Sequence, residues 1–351
     1  MLTKQQFNLL NEKLAASISI DNESYLYFGG TAYLGIPQNQ QFISHYIDGV
    51  GRYGLNNGTS RGNNVQLGIY NQAEAYIANK YGAADALITS SGYLAAKLAV
   101  EAFTQYGEVR YAPQTHPALW NSNDPKIHGD FATWADTVVT EINSSNIKDW
   151  VLISNSMNNL YPEVYDFGFL AQIDSSKNVV LIVDDSHGIG MLNDGTSGLK
   201  SLPNGANVKV ILVASMAKAL GVDAGVILGA KEEISKLKQG EVFYGASPPA
   251  AAGLYAFINA EDIYNEAYQK LQHNISFFTQ KLRNKLDWHF VPGFPVFLCR
   301  QSDIAEKLLQ QNILISSFPY PDRNSDVLNR IVLSCWHSED DILKLLAALQ
   351  N

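Results

Sequence analysis

Five short apolar runs set the strongest limit on how this chain folds: Ala86 to Thr89, Trp150 to Ser154, Asn178 to Asp184, Val208 to Ser215 and Gly225 to Ala230. They are continuous stretches of Val, Ile, Leu and Ala, without the polar alternation of a strand that has one wet face. Each therefore predicts a strand buried on both faces, and helical segments separate most of them. Strands of this kind belong to a mainly parallel sheet covered on two sides, so the fold class is α/β.

Around this centre the pattern changes. Thr3 and Gln6 have capping-box spacing ahead of Phe7, Leu9, Leu10 and Leu14, which predicts a short amphipathic opening helix. Tyr25 to Phe28 reads as a strand. Gly49 to Asn64 reads as a Gly- and Asn-rich interruption before a helix from Ile69 to Tyr81 that stops at Gly82. After Pro248 come helices over Pro249 to Glu261 and Ala267 to Leu286. Short strands follow around Phe294 to Arg300, Ile313 to Ser316 and Arg330 to Cys335, and a helix from Ser338 to Leu349 comes last. This predicts a large domain over 39–258 and a smaller α+β domain over 259–351, to which an N-terminal arm over 1–38 contributes.

Charge narrows the function. With 25 Lys plus Arg against 34 Asp plus Glu, the 351-residue chain carries a formal charge of −9 and has no basic run. That argues against nucleic acid as a partner, since such binding rests on Lys and Arg at phosphates. The longest apolar segment, Pro249 to Ala260, is too short for a bilayer. The N-terminal residues also lack the continuous apolar stretch of a secretory signal, so the expectation is a cytoplasmic protein. Cys299 and Cys335 lie far apart in apolar runs, which predicts buried reduced thiols and no metal site.

Two motif matches fail on context. Gly49 to Gly54 matches the dinucleotide fingerprint by letters, but a helical pattern precedes it and a loop pattern follows, where the mechanism needs a strand and then a helix. Ser215-Met216-Ala217-Lys218 matches the Ser-x-x-Lys of penicillin-recognising hydrolases, whose Lys-Thr-Gly companion is absent. No Walker-type phosphate loop occurs.

Three other positions carry chemistry only in combination. Lys218 follows an almost purely aliphatic strand. Burial there would lower its pKa and free a neutral amine for Schiff-base formation, although a snorkelling lysine at a strand end fits the position alone at least as well. Asp184 and Asp185 end the most apolar strand, where a carboxylate is costly unless a cation such as a pyridinium nitrogen, or a set of donors, answers it. His187 could reach a cofactor's phenolic oxygen or simply fill the loop. Ser90 to Tyr93 turn a strand into a helix whose amides suit a phosphate, and equally suit an ordinary cap. Together these elements meet at the carboxyl edge of one sheet, where ligands of open α/β folds bind.

In order and spacing the chain resembles the fold-type I pyridoxal phosphate (PLP) enzymes, which have the aspartate aminotransferase-like fold, and within them the α-oxoamine synthases typified by 8-amino-7-oxononanoate synthase. The resemblance runs through Tyr33-Leu34-Gly35, Glu74 to Gly82, Ser91-Gly92-Tyr93, Ser156-Met157, Val183 to Gly188, Ser215 to Gly221, Pro248-Pro249 and His337 to Ile342. It implies Lys218 as the Schiff-base lysine, Asp184 as the pyridinium partner and His187 at the phenolic oxygen. By the same resemblance Ser91, Gly92 and Tyr93 contact the cofactor, Ser215 binds its phosphate, Ser156 lines the pocket, and His116 stacks on the ring and meets substrate. The implied reaction condenses a small amino acid with an acyl thioester of coenzyme A or a carrier protein, with loss of carbon dioxide, in a homodimer.

Departures fall on the substrate side. Phe318 stands where the resemblance leads one to expect a carboxylate-binding arginine, leaving Arg330 or Arg323 as replacement anchors. Thr31-Ala32, Tyr70 and Asn158 also differ from the family pattern. A same-fold aminotransferase is the nearest alternative. A Ser215 hydrolase and a catalytically silent PLP-fold binding protein are the alternatives of other classes.

Overall fold

The computed structural model describes residues 10–199, 207–283, 285–320 and 325–350. The chain forms two compact units. The larger comprises Gln41–Asn158 and Val164–Glu261, and the smaller comprises Met1–Gln40, Asn159–Glu163 and Asp262–Asn351.

The larger unit is built on a six-stranded sheet in the order Asp85–Thr89, Gly225–Gly229, Val208–Ser215, Asn178–Asp184, Asp149–Asn155 and Glu108–Tyr111. The last four strands in this order are parallel. Gly225–Gly229 runs antiparallel to both neighbours, so one of the five apolar runs departs from the parallel arrangement. A buried run reveals its two covered faces but not its direction.

Helix Gly92–Phe103 lays Ala95, Ala96, Leu98 and Ala99 on Leu87, Val151, Ile153, Ile182, Ile211, Val213 and Ile227 of the sheet. Three alanines on that face let the helix axis approach closely, and each buried aliphatic side chain contributes about 1.5–3 kcal/mol. As a result the helix N-terminus sits beside the strand ends, where Gly92 approaches Ser215 and Gly225 approaches Ser91. The sequence missed the edge strand Glu108–Tyr111, whose Arg110 pairs with Glu108 and Glu141 and breaks the apolar run. The expected break at Gly49 is absent, because helix Gln40–Tyr53 continues through it. A methyl group at Gly49 would come within 2.8 Å of the Ala252 Cα, so this glycine serves close helix packing.

The smaller unit holds a second six-stranded sheet in the order Ser17–Ile20, Glu23–Phe28, Ile313–Pro319, Val327–Val332, Val296–Cys299 and Trp288–Phe290. It is antiparallel except where Ile313–Ile315 runs beside Leu26–Phe28. The expected helices over Pro249 to Glu261 and Ala267 to Leu286 are instead Ala251–Ile258 and Glu261–Lys281, the second starting earlier and ending sooner. Phe278 of the long helix meets Phe297 of the sheet edge-to-face at 4.8 Å. Helix Glu339–Ala348 begins at a capping box between Ser338 and Asp341. The helix expected from Thr3 lies mostly outside the described residues, and Leu10 to Leu14 are not helical.

Cys299 is buried and Cys335 half-buried, and neither is in a disulfide. No helix among the described residues is long and apolar enough to cross a membrane.

Candidate functional site

The carboxyl ends of four strands of the larger unit supply the site: Thr89, Asn155, Asp184 and Ser215. The strand that ends in Ser215 turns directly into Lys218, whose Nζ lies 2.9 Å from Nε2 of His187. Desolvation lowers the Lys218 pKa against the opposing pull of Asp184 and Asp185. That shift favours the neutral amine, the form that attacks a carbonyl. The Ser-x-x-Lys reading needs a helix carrying the lysine one turn beyond the serine. Here Ser215 ends a strand, a turn follows, and the lysine amine is bonded to His187, so the Ser215 hydrolase lacks its geometry.

Asp184 and Asp185 separate in role. Asp184 is half-buried, and its Oδ1 accepts from the Ser186 amide at 2.9 Å. Asp185 is fully buried. Its carboxylate accepts from the Ser197 hydroxyl at 2.7 Å and from the Gly198 amide at 3.0 and 3.1 Å. The Ser156 hydroxyl faces it from outside good hydrogen-bonding geometry. Burial pushes the Asp185 carboxyl up to about 7, although these donors and the Ser156 hydroxyl oppose the shift. Gly188 and Gly198 are required there, since a methyl group at either would come within 2.1 or 2.5 Å of Asp185 Oδ1. Asp185 therefore tethers the loop that carries His187.

Ser91 caps helix Gly92–Phe103, its Oγ accepting from the Leu94 amide at 3.2 Å. A Cβ at Gly92 would fall 2.6 Å from both Cα and Cβ of Ser215. The first turn of the helix thus presses on the strand end that leads to Lys218. Ser215 Oγ accepts from the Ala217 amide at 3.3 Å, and the Ser215 amide donates to Ser186 Oγ at 2.8 Å. Tyr93 stands outward, 57% exposed, with the Lys97 ammonium 5.6 Å from its ring centre.

His116 begins the short turn Pro117–Leu119, and its Nδ1 accepts from the Ala118 amide at 3.2 Å. Desolvation lowers its pKa, with Asp184 raising it and Lys218 lowering it, so it lies within electrostatic reach of both. The fold thereby gathers Lys218, His187, Asp184, Ser156, Ser215, Ser91, Gly92 and His116 at one sheet edge, with Tyr93 turned to the exterior. Sequence reasoning missed Asn155, which holds the His116 segment. A single Asn after an apolar run carries no local signal of that task.

In the smaller unit, Arg330 is buried. Its Nη1 donates to the Asn159 carbonyl at 2.8 Å, and its guanidinium lies 5.0 Å from the Phe318 ring centre. Its Nε is buried without a hydrogen-bond partner. Phe318 thus forms the platform beneath an arginine. Arg323 lies outside the described residues.

Residues 52–349 match the model of the family described as aminotransferase class I and II. The 8-amino-7-oxononanoate synthase of Pseudomonas savastanoi pv. phaseolicola is 23% identical over 364 residues, spanning 99% of this chain and 91% of its own. Among solved structures, the 8-amino-7-oxononanoate synthase of Francisella tularensis superposes with a TM-score of 0.71 at 20% identity, covering 93% of this chain and 96% of its own. An SPT structure with PLP gives a TM-score of 0.79 at 13% identity, covering 97% and 91%.

Proposed function

Because the chain belongs to the class I and II aminotransferase family, we propose that it is a PLP-dependent enzyme of the α-oxoamine synthase type. It joins an amino acid to an acyl thioester with loss of carbon dioxide. The fold is the α/β, aspartate aminotransferase-like architecture of fold-type I PLP enzymes. Full-length similarity to 8-amino-7-oxononanoate synthases supports the reaction class.

The residues fit the cofactor. The observation that carries the reading is the buried Lys218 amine, 2.9 Å from His187 Nε2, on the sheet edge that also holds Asp184. Lys218 would hold the carbonyl end, Asp184 the ring nitrogen and His187 the phenolic oxygen. Ser215 and the amides following Ser91 would hold the phosphate at a helix N-terminus, where the dipole favours an anion. Ser156 and His116 would line the ring. When bound, PLP supplies a protonated ring that draws electrons from the substrate α-carbon.

The protein's own part is proton placement. Lys218 would take and return the α-proton at its Nζ, with His187 Nε2 as its hydrogen-bonding neighbour. Asp184 would hold a proton on the ring nitrogen of the cofactor. The working form is a homodimer in the cytoplasm.

The test is a screen of amino acids with acyl-coenzyme A thioesters, following free thiol and carbon dioxide. Release of both, dependent on one amino acid and abolished by Lys218→Ala, is the expected result. Conversion of the cofactor to its pyridoxamine form without thiol release would instead make the protein an aminotransferase. Cofactor uptake with neither outcome would make it a silent binding protein.

A further inference from the structure

Asn155 is the last residue of its strand and pairs in register with Asp184 on the parallel neighbour, so their side chains lie on the same face of the sheet. Its carboxamide clasps the adjoining segment at two points. Oδ1 accepts from the His116 amide at 3.1 Å, and Nδ2 donates to the Gln114 carbonyl at 2.8 Å. The two bonds require an acceptor and a donor on one short planar group, which a carboxamide offers and a carboxylate does not.

The clasped segment is strained. Gln114 has φ +58, in the left-handed region that non-glycine residues rarely adopt. Its side chain is held in turn by the Asn158 carboxamide. Downstream, the Trp120 indole donates to the carbonyl and hydroxyl of Thr115 at 3.2 and 3.1 Å. The result is a rigid hook with His116 at its tip. There the Ala118 amide donates to Nδ1, so that nitrogen must keep its lone pair and the neutral ring carries its proton on Nε2. An imidazolium would set two donors face to face. Desolvation favours the neutral ring, against the opposing pull of Asp184.

We propose that Asn155 is a positioning residue that locks His116 as an Nε2–H donor beside the Lys218 centre, by fixing the backbone on both sides of Thr115. Its bearing on catalysis rests on the reading of that centre as the PLP site. His116 contributes a directed hydrogen bond from Nε2, with the tautomer set before substrate arrives.

The test uses the apoprotein labelled with 15N-histidine. Two-bond proton–nitrogen correlations report the tautomer, and the chain's 7 histidines are assigned by the loss of one pattern in His116→Gln. Wild type is expected to show His116 in a single Nε2–H pattern, and Asn155→Ala and Asn155→Asp to show averaged tautomers. In the loaded enzyme both variants are expected to lower kcat about tenfold or more with KM for the amino acid little changed. An Nδ1–H pattern in wild type, or an unaltered Nε2–H pattern in the variants, overturns the proposal. If Asn155→Ala does not fold, Asn155→Asp decides, since it keeps the acceptor for the His116 amide. The tautomer is read without cofactor. A chain that shows the variant-sensitive pattern yet takes up no PLP therefore supports the Asn155–His116 coupling and refutes only the cofactor reading.

Discussion

Nζ of Lys218 and Nε2 of His187 lie 2.9 Å apart, although they come from turns after different strands. The pair depends on two tethers. The buried Asp185 carboxylate holds Ser197 and Gly198 against the turn that carries His187. The Ser215 amide, bonded to Ser186 Oγ, fixes the start of the turn that carries Lys218. Replacing His187 by Phe keeps the ring and removes the partner nitrogen. With one hydrogen bond to a buried amine lost, PLP affinity is expected to fall about tenfold in an absorbance titration, while the fold persists.

Gly92→Ala tests the close approach of helix and strand. The added methyl would sit 2.6 Å from Cα and Cβ of Ser215, and the strand backbone cannot yield as a flexible side chain would. Overpacking of this kind costs about 1–3 kcal/mol. A lower melting temperature together with weakened PLP binding is expected, whereas Gly51→Ala, with open space around its Cβ, should leave binding unchanged.

Much of this architecture was legible in the chain. Asn178–Asp184 and Val208–Ser215 carry their bounds in mainly aliphatic runs, and Asp184, His187 and Lys218 stand at or just after strand ends in the expected order. Other features depend on partners remote in sequence. The antiparallel sense of Gly225–Gly229 is fixed by its neighbours, and the tasks of Asn155 and Asp185 exist only once the strand ends are side by side. Gly49 reads as a breaker locally, but close packing on Ala252 outweighs its weak helix propensity.

His337 makes a stability prediction for the smaller unit. It is buried, stacks on Phe28 at 4.3 Å, accepts at Nδ1 from the Ser334 amide and bonds the Tyr27 carbonyl through Nε2. Desolvation lowers its pKa to about 4 from an ordinary 6.5. A depressed folded pKa means the unfolded chain binds the proton first. This contribution is therefore intact above pH 6.5 and is lost as pH falls through about 4. The loss amounts to at most roughly 3 kcal/mol. Melting curves between pH 7 and pH 4 should fall less steeply for His337→Gln than for wild type.

Asp185 acts with the opposite sign in the larger unit. Its folded pKa is raised to about 7 from 3.8 by burial, so its contribution is full below pH 3.8 and is lost as pH rises through about 7. Asp185→Asn removes that titration. The variant should gain stability relative to wild type as pH rises from 4 to 8, and calorimetry across this range checks it.

Whether Lys218 holds a carbonyl cofactor is read by reducing the PLP-treated protein with borohydride and mapping the modified residue by mass spectrometry. The expected result is a pyridoxyl group on the peptide containing Lys218, absent from Lys218→Ala, and a visible absorbance band in wild type that disappears on reduction. Unmodified Lys218, or label spread over exposed lysines with the mutant labelled equally, would contradict it.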